Sequence, residues 1–183
     1  MSSQATTIEG KAVLVTGANR GLGQALVEEA LRRGAKRVYA ATRQPFAHPD
    51  GRVLPLTLDV TDAAQIEAAV GRVESLDVLI NNAGVALSDD LSNRAQLERH
   101  LAVNLFGPWN VTQALLPLLT RARGAVVNVS SIAAFAAIPV LPAYSISKAA
   151  AFSLTQSLRA LLGGAGGEGA RRPRRPDRHR HGA

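Results

Sequence analysis

Tyr144 and Lys148, four residues apart in the segment YSISK, have the types and spacing for proton transfer. On a helix they would share one face. A phenol titrates at about pH 10 and is a weak acid or base at neutral pH unless a nearby cation stabilises its anion, which a lysine at this spacing can do. A second constellation lies far upstream. TGANRGLG, residues 16–23, places Gly17, Gly21 and Gly23 where a backbone must turn sharply and approach a ligand, and the free N–H groups of a helix start would favour an anionic pyrophosphate. Taken alone, the cluster also reads as an ordinary strand-to-helix turn. Its G-x-x-x-G-x-G spacing departs from the more general dinucleotide fingerprint.

The end of the next strand decides which dinucleotide such a loop would hold. A ribose 2′-hydroxyl calls for Asp or Glu there, whereas a 2′-phosphate calls for a cation. The chain has Thr42 and Arg43, no carboxylate before Asp50, and Arg20 inside the glycine loop. Two guanidiniums converging on one phosphate favour NADP(H). Either arginine alone also reads as a solvated surface charge. Further along, Pro108 follows Asn104 by four residues and has no N–H, so the Asn104 carbonyl loses its helical partner. A kink with a free carbonyl is expected, with water as its partner.

These groups need a frame, and the hydrophobic pattern supplies one. KAVLVT (11–16), RVYAAT (37–42), VLPLTLD (53–59), DVLINN (77–82) and AVVNVSS (125–131) read as short buried strands. Helical periodicity covers 21–34, 62–73, a long stretch from about Ser92 to Leu119, and about Ala143 to Leu162. RQPFAHPDGR (43–52), with Pro45 and Pro49, cannot be a helix, so that crossover is a loop. Strands apolar on both faces and separated by helices imply an α/β fold, a doubly wound parallel sheet of Rossmann-like type.

Composition bounds the rest. The 183 residues suit one core rather than two, with 46% hydrophobic residues and no apolar run long enough to span a bilayer. There is no cysteine and no secretory signal, so a cytoplasmic setting is expected and no metal is assigned. The formal charge of +7 is uneven, because residues 171–183 hold six Arg and one Asp and so carry +5 of it. The body is close to neutral, with no basic face for a phosphate backbone. An Arg/Pro tail without aromatics argues for disorder rather than nucleic-acid binding.

Five motifs in order resemble the short-chain dehydrogenase/reductase family over about residues 9–162: TGANRGLG, NNAG at 81–84, Asn104 in VNLFG, NVSS, and YSISK. The resemblance implies an oxidoreductase moving hydride between NADP(H) and a carbonyl or alcohol, with residues 1–162 as its catalytic domain. Gly17, Arg20, Gly21, Leu22 and Gly23 would line the pyrophosphate and adenosine ribose, with Thr42 and Arg43 beside the 2′ position. Asp59 and Val60 would meet the adenine, and Asn81, Ala83 and Gly84 would flank the cofactor. Tyr144 would be the general acid, Lys148 would hold the nicotinamide ribose, and Asn104 would hold a relay water. The family's spacing to the tyrosine selects Ser131 over Ser130 to bind the substrate oxygen. The long helix and the Tyr/Lys helix would form a homo-oligomer contact, although Phe152, Leu154 and Leu158 also fit plain core.

The chain departs from the family pattern after Lys148. Only 35 residues remain, without a sixth strand, a Pro-Gly turn or a substrate lid, so the sheet is expected to be incomplete at its C-terminal edge. Residues 163–183 form a Gly/Arg/Pro-rich tail. Read one nucleotide late, PDRHRHGA permits Ile-Asp-Thr-Asp-Met, and the preceding arginines and prolines permit a Val/Ala-rich run, which suggests a frameshift near residues 163–169. An alternative to the enzyme is therefore a truncated, catalytically silent dinucleotide-binding protein. Phe135, Ile138, Val140 and Leu141 offer either an apolar wall for a hydrophobic carbonyl substrate or ordinary core.

Overall fold

The computed structural model describes residues 7–163; the tail and its frameshift reading lie outside them. Five parallel strands, β1 (Ala12–Thr16), β2 (Arg37–Thr42), β3 (Val53–Thr57), β4 (Val78–Asn81) and β5 (Ala125–Asn128), form one sheet in the order β3-β2-β1-β4-β5. Side chains alternate across its faces. Leu14, Tyr39, Leu56 and Leu79 pack with Val111 and Leu115 in one cluster, while Val13, Val15, Val38 and Ile80 pack with Val27 and Leu31 in another. β1 is buried along its whole length, which is why it is apolar at every position before Thr16.

The helices are α1 (Gly21–Arg32), α2 (Ala63–Val70), α3 (Arg94–Leu101), α4 (Gly107–Ala122) and α5 (Pro142–Gly163). Asp62 caps α2 by accepting from Gln65 N–H, and Asn93 caps α3 by accepting from Ala95 N–H. The crossover from β2 to β3 contains no helix, in keeping with its prolines. Strand order reverses between β1 and β4, and both strands end there in loops rich in Gly and Asn, the crevice where open α/β sheets bind ligands.

Two expectations are corrected. The single helix expected over Ser92–Leu119 is divided by a π turn, Ala102–Phe106, in which Gly107 N–H bonds to the Ala102 carbonyl five residues back. The missing N–H of Pro108 is thus absorbed by widening the turn rather than by a simple kink. β5 stops at Asn128 instead of continuing to Ser131, which opens a 3₁₀ turn at Ile132–Ala134.

The sheet edges differ. The Arg52 carbonyl accepts from Val38 N–H and Leu58 N–H donates to Thr42, so even-numbered residues of β3 face β2 and Pro55 turns its N–H-less side outward. On the other edge, Ala125 and Val129 N–H groups bond to Asp77 and Asn81 carbonyls, leaving the alternate backbone groups of β5 facing out. Among the described residues β5 has no second neighbour, and Val127 is 45% exposed.

Candidate active site

The glycine loop is locked to the loop after β4. Thr16 Oγ1 accepts from the N–H groups of Asn82 and Ala83, both at 3.0 Å, and Asn82 Nδ2 donates to the carbonyls of Thr16 (2.9 Å) and Gly17 (3.2 Å). Gly17 has φ +66°, and a Cβ there would stand 3.0 Å from Ala83 Cα. A Cβ at Gly23 would run into the Gly17 carbonyl, so this position excludes every side chain. Gly21 has φ +53° but faces open space, with nothing within 4 Å of a Cβ. The loop is therefore tight towards the protein and open on the side where a pyrophosphate would approach the start of α1. Sequence reasoning named Asn81, Ala83 and Gly84 but passed over Thr16 and Asn82. The signal was present, since both belong to the quoted motifs.

Arg20 and Arg43 are exposed, and among the described residues neither is ion-paired. Thr42 is buried, its hydroxyl donating to the Gln44 carbonyl at 2.6 Å. Burial pulls the Asp59 carboxyl upward, but bonds from the Thr61 hydroxyl and N–H, together with the charge of Arg43, outweigh it and hold the group below its usual range. Val60 is buried against Gly107, where a Cβ would stand 2.6 Å from Val60 Cγ2, whereas Leu22 is 56% exposed at the start of α1. Arg20 and Arg43 are thus available to an anionic ligand.

At the other end of the crevice, the α5 start brings Tyr144 and Lys148 together. Lys148 Nζ lies 5.8 Å from the Tyr144 ring centroid and donates to the Val129 carbonyl at 3.0 Å. Burial lowers its pKa from the usual lysine value. One of its three donors is used, which leaves two for ribose hydroxyls. Ser131 Oγ accepts from Ala133 N–H at 3.2 Å, so its own proton remains free to donate, and it shares no hydrogen bond with Tyr144.

Asn104 sits in the π turn with its side chain fully engaged. It accepts from Val85 N–H (2.8 Å) and donates to the Val85 carbonyl (2.9 Å) and to Ser147 Oγ (2.9 Å), which in turn donates to the Tyr144 carbonyl. Gly84 lies against it, since a Cβ there would stand 3.2 Å from Asn104 Oδ1. Asn81 reaches sideways, donating to Thr112 Oγ1 and Asn128 Oδ1, and Asn128 donates on to Thr155 of α5. Asn81 thus ties the edge strand to its neighbours rather than facing the crevice.

Among solved structures, a short chain dehydrogenase from Burkholderia cenocepacia J2315 in complex with NADP is 38% identical, with a TM-score of 0.83, covering 86% of this chain and 69% of that one. A short-chain dehydrogenase from Streptomyces avermitilis is 33% identical with a TM-score of 0.78, covering 85% of this chain and 62% of that one. Oxidoreductase UcpA of Salmonella typhimurium is 34% identical across 82% of this chain, and this chain spans 63% of that relative's length. The family model for short chain dehydrogenases matches residues 11–166, from the strand before the glycine loop through the helix that carries Tyr144 and Lys148. The chain belongs to the short chain dehydrogenase family.

Proposed function

We propose that this chain is an NADP(H)-dependent oxidoreductase acting on a carbonyl or alcohol through Ser131, Tyr144, Lys148 and Asn104. The observation that carries the reading is the Tyr144–Lys148 pair, with a buried ammonium 5.8 Å from the phenol ring. Gly17, Gly21 and Gly23 would hold the pyrophosphate, Arg20 and Arg43 the 2′-phosphate, and Lys148 the nicotinamide ribose. The bound dinucleotide supplies or takes up the hydride. Tyr144 gives its hydroxyl proton to the carbonyl oxygen, and Ser131 donates a hydrogen bond to the same oxygen as negative charge develops there. The Lys148 cation favours that charge shift onto the phenol oxygen.

Phe135 and Val140 are 70% and 65% exposed, which supports the wall reading for these two and an apolar carbonyl substrate, whereas Ile138 and Leu141 are half-buried. Homo-oligomer contact through α4 and α5 belongs to the same reading, since Phe106, at the end of the π turn, and Trp109, in α4, are exposed by 54% and 41%. NADPH oxidation across a panel of aromatic and aliphatic carbonyls, with Tyr144→Phe as control, tests the mechanism; turnover indifferent to that change would sink it. Among the described residues β5 lacks a second neighbour, which supports a second reading, a dinucleotide binder without turnover. Saturable NADPH binding with no turnover on any carbonyl selects it.

A further inference from the structure

The segment after NNAG is extended without joining the sheet. Val85, Leu87 and Asp89 are half-buried and alternate with exposed Ala86, Ser88 and Asp90. The inward N–H groups are each collected, Val85 by Asn104 Oδ1 (2.8 Å), Leu87 by His100 Nε2 (3.1 Å) and Asp89 by the Val140 carbonyl (3.4 Å). The geometry is commensurate. Two extended residues advance about 6.6 Å and four helical residues about 6 Å, so side chains at 100 and 104 meet the chain at 87 and 85.

His100 is the unexplained member. It is completely buried, so it cannot touch substrate. Its Nδ1 lies 2.8 Å from the Gln96 carbonyl, which can only accept, so Nδ1 carries the proton and Nε2 presents the lone pair that Leu87 N–H needs. Its ring stands edge-on to the Tyr144 ring, with centroids 6.4 Å apart and planes at 65°. The strap it holds ends at Asp89, whose carboxylate oxygens both accept from Ala143 N–H at 3.3 Å, one residue before Tyr144.

We propose that His100 is a positioning residue for Tyr144: as the neutral Nδ1–H tautomer it latches the Val85–Asp89 strap to α3 and walls one side of the phenol ring. This rests on the reading of Tyr144 as the proton donor, but its test does not need turnover. Amide hydrogen exchange is compared in the wild type, His100→Leu and His100→Gln. His100→Leu should speed exchange about ten-fold at Leu87 and at Ala143 while Val85 stays protected, which is the size of one net hydrogen bond, and Gln, which can still accept, should restore both. If Leu87 loosens without Ala143, or if neither changes, the proposal is overturned.

Imidazole ¹⁵N shifts of the wild type give an independent reading, and an Nε2–H tautomer or an imidazolium at neutral pH overturns it as well. Should His100→Leu not fold, His100→Asn replaces it, since the shorter amide cannot span to Leu87. Where the chain turns over, kcat should fall about ten-fold in His100→Leu with KM for NADPH unchanged, and recover in His100→Gln.

Discussion

The middle and the edge of the sheet do different work. β1 lies between β2 and β4, buried at every residue, and ends in the glycine loop; β5, among the described residues, has one neighbour, is partly exposed throughout, and leads to Ser131. The glycine loop is thus built on the most constrained strand, and the loop carrying Ser131 on the least. What compensates at the edge is polar. The Asn81–Asn128–Thr155 chain and the strap held by Asn104 and His100 fix by hydrogen bonds what hydrophobic burial fixes at β1.

The largest test of this contrast is chemical. Tyr144→Phe should lower kcat by about 10²–10⁴-fold, the range for a removed general acid, and leave the melting temperature in place. Stability lost along with turnover would break the separation of chemistry from core. Next comes packing: Leu14→Ala should cost about 2–5 kcal/mol in denaturant unfolding, while Val127→Ala stays within about 0.5 kcal/mol. Within the loop, Gly23→Ala should cost about 1–3 kcal/mol through its clash with the Gly17 carbonyl and abolish NADPH fluorescence enhancement, whereas Gly21→Ala should cost about 1 kcal/mol of backbone strain.

Smaller effects sharpen the picture further. Arg43→Ala should weaken NADPH binding about ten-fold and leave NADH binding unchanged, measured by titration calorimetry. Burial lowers the pKa of Lys148, so the unfolded chain keeps that proton to higher pH than the folded one. Stability should therefore rise with pH from the folded value up to the ordinary lysine range, and Lys148→Met should flatten that slope.

Strands, glycine loop and the Tyr/Lys pair were legible because each is written in local pattern: β-branched runs, glycines at set spacing, and a four-residue separation on one helix. At Pro108 the helix is interrupted where expected, but by a π turn rather than a kink. A missing N–H says that the ladder must break, but not whether it kinks or widens. β5 ends early because, past the Val129 N–H bond to the last residue of β4, its continuation pairs with no strand among the described residues, which no propensity for valine could reveal. Asn82 bonds only to partners distant in sequence, and the Leu87 N–H and Tyr144 ring that His100 meets are likewise beyond its own helix, so their types alone say little.

Pro55 has a consequence beyond its own strand. A ladder can lengthen only where backbone donors and acceptors face out, and Pro55 interrupts that row at β3 while β5 keeps its own intact. Pro55 thus makes β3 the poorer of the two edges, among the described residues, for accepting a further strand, on the side of the sheet farthest from Ser131.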